Sequence, residues 1–123
     1  MTKQELLQRT KAFALRVIKV VQSLQGDRVG EILGAQLLRS GTSVGANYRA
    51  VCRAKSDADF INKLKIIEEE CDESLFWMEL LIESGLVSTG RLAPLMQEGN
   101  ELLSIVVAAL KTIRRTRGGN RNS

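Results

Sequence analysis

Four groups of residues in this chain carry side chains capable of chemistry. Gly41-Thr42-Ser43-Val44-Gly45 matches G-x-S-x-G, the pattern that exposes a nucleophilic serine on a sharp strand-to-helix turn. That chemistry needs a histidine base, and the sequence contains no histidine. The same glycines make no phosphate loop, because no Gly-Lys-Ser/Thr follows them. Glu68-Glu69-Glu70-Cys71-Asp72-Glu73 is the densest acidic run. Carboxylate-rich bundles that bind two metals use Glu-x-x-His from two helices, which this chain cannot supply. Consecutive helical residues also fan out by about 100° each, so these acids cannot converge on one ion. Cys52 and Cys71 form no C-x-x-C pair and read as reduced, buried small hydrophobes. No catalytic residue, metal ligand, cofactor or small-molecule substrate is therefore assigned, and the expectation is a protein that is not an enzyme.

The fourth group is basic. At about 100° per residue, Arg28, Arg39, Arg49 and Arg53 fall within about 80° on one helix, a stripe roughly 40 Å long. Two readings of the stripe stand side by side. It tracks a phosphate backbone, or it pairs with an acidic neighbouring helix. Lys111, Arg114, Arg115, Arg117 and Arg121 add a second basic segment with no acid among them. The net charge of +4 comes from this end of the chain. Phosphate contact is assigned to Arg39, Arg49, Arg53, Arg114 and Arg115. Aromatics able to stack on bases are limited to Tyr48, Phe76 and Trp77, so the expected target is nucleic-acid backbone and shape, as in structured RNA.

These residues need positioning elements, and the periodicity predicts four helices and no strands. The first runs from about residue 3 to 24, with Thr2 and Glu5 as a T-x-x-E capping box and Leu6, Phe13, Val17, Val20 and Leu24 on one face. The second runs from about 28 to 54 behind Asp27. Gly30, Gly34, Gly41 and Gly45 share a stripe about 60° wide on it. Each costs about 1 kcal/mol against alanine inside a helix, so close packing of a neighbouring helix is expected there. A break at Ser40-Ser43 is the alternative. The continuous helix is favoured because Leu37, Leu38, Val44 and Tyr48 stay in phase across it. The third runs from about 57 to 84 between Ser56 and Gly85, with Phe60, Leu64, Ile67, Cys71, Leu75, Met78 and Ile82 facing the core. A second apolar stripe of Ile66, Trp77 and Leu80 implies a contact beyond the bundle, between subunits, unless Trp77 packs at the bundle's edge. The fourth runs from about 89 to 115, with Pro94 near its start.

Long helices with short connections predict an all-α, antiparallel up-and-down four-helix bundle of one domain over residues 1–117, followed by a disordered polar tail over 118–123. No run of 18 apolar residues exists, so no membrane partner is expected. The opening residues carry no secretory apolar region, and the expected location is cytoplasmic.

The string R-S-x-x-S-x-x-x-N-Y from Arg39 to Tyr48, with E-x-x-E-x-L-x-W from Glu70 to Trp77, resembles the bacterial four-helix-bundle family, also called the 23S rRNA intervening-sequence protein family. The resemblance covers about residues 12–115. It implies a small bundle assembled as a homopentamer, which would account for the second stripe on the third helix. It also implies a ribosomal-protein label without an established biochemical role. A related pentameric bundle serves as a reverse-transcriptase accessory, which keeps an adaptor or scaffold role open beside RNA binding. Arg39, Ser40, Ser43, Asn47, Tyr48, Glu73 and Trp77 carry over as fold or assembly residues.

Overall fold

In the computed structural model the chain forms α1 (Lys3–Gln22), α2 (Arg28–Val51), α3 (Asp57–Glu83) and α4 (Thr89–Asn122). Residues 1–116 are described in full, and the tail expected at 118–123 lies outside them. Side-chain caps start the helices. Thr2, Asp27 and Ser56 sit in extended backbone and accept hydrogen bonds from the N–H groups of Glu5, Gly30 and Asp59, at 3.1, 2.7 and 3.1 Å. Ser88 does the same for Arg91 at the start of α4, at 3.3 Å. Each cap satisfies a donor that the first helical turn leaves without a partner.

Glycine stops α3. Gly85 has φ +79°, and the Leu86 and Gly85 N–H groups return to the Leu81 and Ile82 carbonyls at 3.0 Å each. This is the paired C-terminal closure that a left-handed residue permits. The predicted ends of α1 and α2 prove slightly long. Ser23 and Leu24 turn back on Val20 and Val21, and Arg53 and Ala54 on Ala50 and Val51. These tightened i→i+3 turns spend the last carbonyls before the chain reverses.

Five-residue connections make successive helices antiparallel. α1 packs on α2, α2 on α3 and α3 on α4, while α4 closes more lightly on α1. The core holds Phe13 and Val17 from α1, Leu37 and Val44 from α2, Ile67, Cys71, Met78 and Leu81 from α3, and Leu92, Leu102 and Leu110 from α4. Leu81, assigned to neither apolar stripe in the sequence, is fully buried, whereas Phe60 and Ile82 are only half-buried.

The helix through Ser40-Gly41-Thr42-Ser43 is continuous, and its glycines face α1. A β-carbon on Gly41 would lie 2.9 and 3.0 Å from the two Val17 methyls. On Gly34 it would meet Leu24 Cδ1 at 3.1 Å, and on Gly45 the Thr10 carbonyl oxygen at 3.3 Å. Gly30, against Leu24 and Asp27 at 3.4 Å, needs only ordinary contact. Three of the four therefore let α1 ride closer than side chains would allow. Gly99 in α4 plays the same part against Leu75 and Phe13, at 3.2 and 3.5 Å.

Candidate nucleic-acid interface

The basic stripe of α2 divides between two uses. Arg39 is the partner of α3: its guanidinium donates to Glu70 at 3.1 Å and to Glu73. Hydrogen bonding to Arg39 first, and to Trp77 less, holds the Glu73 carboxyl below its ordinary range. Hydrogen bonds to Glu73 first, and to Glu70 next, hold Arg39 above its own range. Phosphate contact by Arg39 is thus corrected: two carboxylates already occupy its donor fork. Behind this pair, inside the core, Ser74 Oγ donates to Ser40 Oγ at 2.8 Å, and both residues are fully buried. Ser40 in turn reaches the Leu37 carbonyl at 3.3 Å. Ser40, a defined position of the sequence motif, thereby fixes with Ser74 the register of α2 against α3.

That register builds an apolar seam around the ion pair. Ile32 precedes Arg39 by seven residues and Leu80 follows Glu73 by seven. Seven residues are about two turns, so both return to the same seam on one side of the pair. Ile66, seven residues before Glu73, lies on the other side. Ile32 is 56% exposed, Ile66 40% and Phe76 50%, with Val29 one turn beyond Ile32 at 56%. Leu80 is half-buried. Trp77 is the residue the sequence placed differently. Its ring packs on the core's edge, its Nε1 donates to Glu73 at 3.3 Å, and Phe76 meets it edge-on at 5.1 Å. The bundle-edge alternative describes Trp77, and Phe76 supplies the open aromatic surface. The sequence reading missed Val29 and Ile32 as surface residues and Phe76 as part of an apolar face, because apolar spacing does not reveal which stripe a neighbouring helix covers.

The remaining candidates lie at one end of the bundle. Antiparallel topology brings the start of α1, the end of α2, the start of α3 and the end of α4 together. A cavity of about 580 Å³ there is lined from all four, by Lys3, Tyr48, Cys52, Lys55, Phe60 and Ile113 among others. Arg49 and Arg53 at the end of α2 stand at this end, as do Lys111, Arg114 and Arg115 on α4. The acids at the same end are Glu5, Asp57 and Asp59. Asp59 is occupied, accepting from Lys63 Nζ at 2.8 Å and the Lys55 N–H at 3.1 Å, which lowers its pKa. Among the described residues no carboxylate lies within salt-bridge reach of Arg49, Arg53, Arg114 or Arg115. The N-termini of α1 and α3 add their positive dipole ends.

Other groups are structural. Arg9 forks onto Glu98 with bonds of 3.0 and 2.5 Å and ties α1 to α4. Burial first, then Glu70 and Asp72, pushes the Cys71 thiol up to about 12. It stays protonated at neutral pH and is a poor nucleophile. Ser43 of the G-x-S-x-G string lies within α2 and accepts from Asn47 Nδ2 at 2.9 Å, so it occupies no strand-to-helix turn. No cluster of metal-binding side chains forms among the described residues, and no helix among them is long and apolar enough to cross a membrane.

Two comparisons place the chain. The family model for the 23S rRNA-intervening sequence protein matches residues 2–108. A crystal structure of a protein of unknown function, from the S23 ribosomal protein family of Bacteroides thetaiotaomicron, is similar at 32% identity and a TM-score of 0.82. The match covers 86% of this chain and 98% of that one. No curated protein matches the chain. With the helices and motif residues in the places described, the chain belongs to the 23S rRNA-intervening sequence protein family.

Proposed function

We propose that this protein is a non-enzymatic, self-assembling RNA-binding bundle that contacts phosphates of structured RNA through the basic end formed by Arg49, Arg53, Arg114 and Arg115. The observation that carries this reading is the gathering of those four arginines at one end with no carboxylate in salt-bridge reach among the described residues. Such an end attracts a polyanion and binds its backbone rather than its sequence. The 23S rRNA in the family's name agrees with an RNA partner.

Anisotropy of a labelled structured RNA at about 50 and 200 mM salt tests it, because each phosphate contact steepens the salt dependence. Arg114→Glu with Arg115→Glu should weaken binding across unrelated sequences and flatten the salt slope. An unchanged slope removes those two residues from the interface, and absence of binding at low salt removes the reading.

The apolar seam supports a second reading, a homo-oligomeric scaffold or protein adaptor that binds no RNA. Ile32, Ile66 and Phe76 leave exposed apolar surface around the Arg39 ion pair, of the kind that marks subunit contacts. A homopentamer closed through this face is the assembly we propose under either reading. Cyclic symmetry would set five basic ends on one side of the ring and add their affinities where one RNA spans several. Phe76→Glu should then lower the mass in solution to that of the monomer. Persistence of the oligomer would place the interface elsewhere.

A further inference from the structure

A basic surface leads from the basic end of the bundle along the face between α1 and α2. α1 and α2 flank a groove of about 530 Å³ lined by Gln4, Gln8, Lys11, Thr42, Gly45 and Arg49, among others. The groove exists because Gly45, Ala46 and Ala14 present little or no side chain along it. Lys11 and Arg49 are both exposed, and no carboxylate among the described residues pairs with either. No acid and no aromatic lines the groove. The α1–α4 groove differs on these points: it holds Glu101, and its Arg9 is already tied to Glu98.

The contact of Gly45 with Thr10 sets the register of α1 on α2, so Lys11 stands near the level of Gly45. Arg49, four residues on, is one turn further toward the basic end, about 6 Å away along the helix. The Gln4 and Gln8 amides line the α1 wall, and neither makes a side-chain hydrogen bond among the described residues, so their N–H groups are open to an acceptor. Thr42 has committed its hydroxyl proton to the Leu38 carbonyl at 2.6 Å, so it offers only lone pairs.

We infer that the α1–α2 groove seats the phosphodiester backbone of a nucleic-acid strand, with Lys11 and Arg49 on successive phosphates and the bases turned outward. Cations and amide donors match phosphate oxygens, the small-residue floor admits a backbone, and the lack of aromatics leaves bases nothing to stack on. The groove runs toward Arg53 and so extends the basic end into a track. This inference rests on the RNA-binding reading, but it names a residue, Lys11, that the reading does not use.

The test is salt-dependent binding of a labelled single-stranded oligouridylate and of an RNA duplex by wild type, Lys11→Gln and Ala46→Glu. Circular dichroism melts check that the two exposed substitutions leave the fold intact. Lys11→Gln should reduce the single-strand slope of log K against log salt by about 0.7, the value of one phosphate contact. Ala46→Glu, which sets a carboxylate in the groove, should lower single-strand affinity at least tenfold at low salt. Wild-type binding unaltered by either substitution would overturn the groove while leaving the basic-end reading in place. A failure of wild type to bind any RNA at low salt would overturn both. Equal losses on duplex and single strand would show that Lys11 acts through general charge, and that outcome also overturns the groove.

Discussion

Gly41→Ala tests how closely α1 and α2 are held. The new β-carbon would stand 2.9 Å from Val17 Cγ2, 3.0 Å from Cγ1 and 3.2 Å from Cβ. Rotating the valine does not relieve this, because both methyls and the branching carbon face the glycine, and Val17 is fully buried. A β-branched residue also has one strongly preferred rotamer in a helix. Relief requires the helices to part, and overpacking of this kind costs about 1–3 kcal/mol. Alanine returns about 1 kcal/mol of helix propensity. The net expectation is destabilisation by about 0–2 kcal/mol, the difference of those two terms. Urea denaturation should show a lower midpoint with an unchanged slope, the sign of altered stability alone. The control is Gly90→Ala, where a β-carbon meets nothing within 4 Å. It should be neutral or stabilising by up to about 1 kcal/mol. A double-mutant cycle adds the decisive measurement. Combining Gly41→Ala with Val17→Ala removes the clash, so the pair should cost less than the sum of the single changes by about 1 kcal/mol or more. A Gly41→Ala protein stabilised by the full propensity gain of about 1 kcal/mol, or an additive cycle, would refute the close-approach account of the glycine stripe.

Two other outcomes follow from the α2–α3 seam. Ser74→Ala should cost about 1 kcal/mol, because it leaves the buried Ser40 hydroxyl short of its donor, while Ser40→Ala with Ser74→Ala should cost less than the two separately. Denaturation midpoints of the three variants check this. Acid should weaken the fold through Glu73 and Asp59, whose folded pKa values lie below their unfolded ones. Their contribution is present in full above the unfolded carboxylate range and is lost as pH falls through the folded values, below about pH 4. Thermal melts between pH 3 and 6 should show a smaller acid-induced drop for Arg39→Gln, which removes the partner that lowers Glu73. Identical pH profiles would mean that this pair contributes nothing measurable.

Helix number, helix positions and the capping residues were readable from the chain, because caps and apolar periodicity act within a few residues of sequence. Thr2, Asp27, Ser56 and Gly85 hold the roles their side chains, or lack of one, suit them for. The glycine stripe was readable as a demand for close packing, since four glycines in one helix are costly without it. That its partner is α1, with Val17 and Thr10 filling the space, needed the tertiary structure. Both fates of the arginines were readable, pairing or phosphate contact, but not which residue takes which. Arg28, Arg39, Arg49 and Arg53 share one stripe, yet among the described residues only Arg39 pairs with carboxylates, because the register that Ser40 and Ser74 set brings Glu70 and Glu73 to its level. The acidic run read as a charged face that pairs with bases, and two of its members, Glu70 and Glu73, form half of an interhelical clasp. Whether a charge is paired or open depends on what the fold brings within a few ångströms from 30 or more residues away along the chain, and sequence spacing carries no record of that distance.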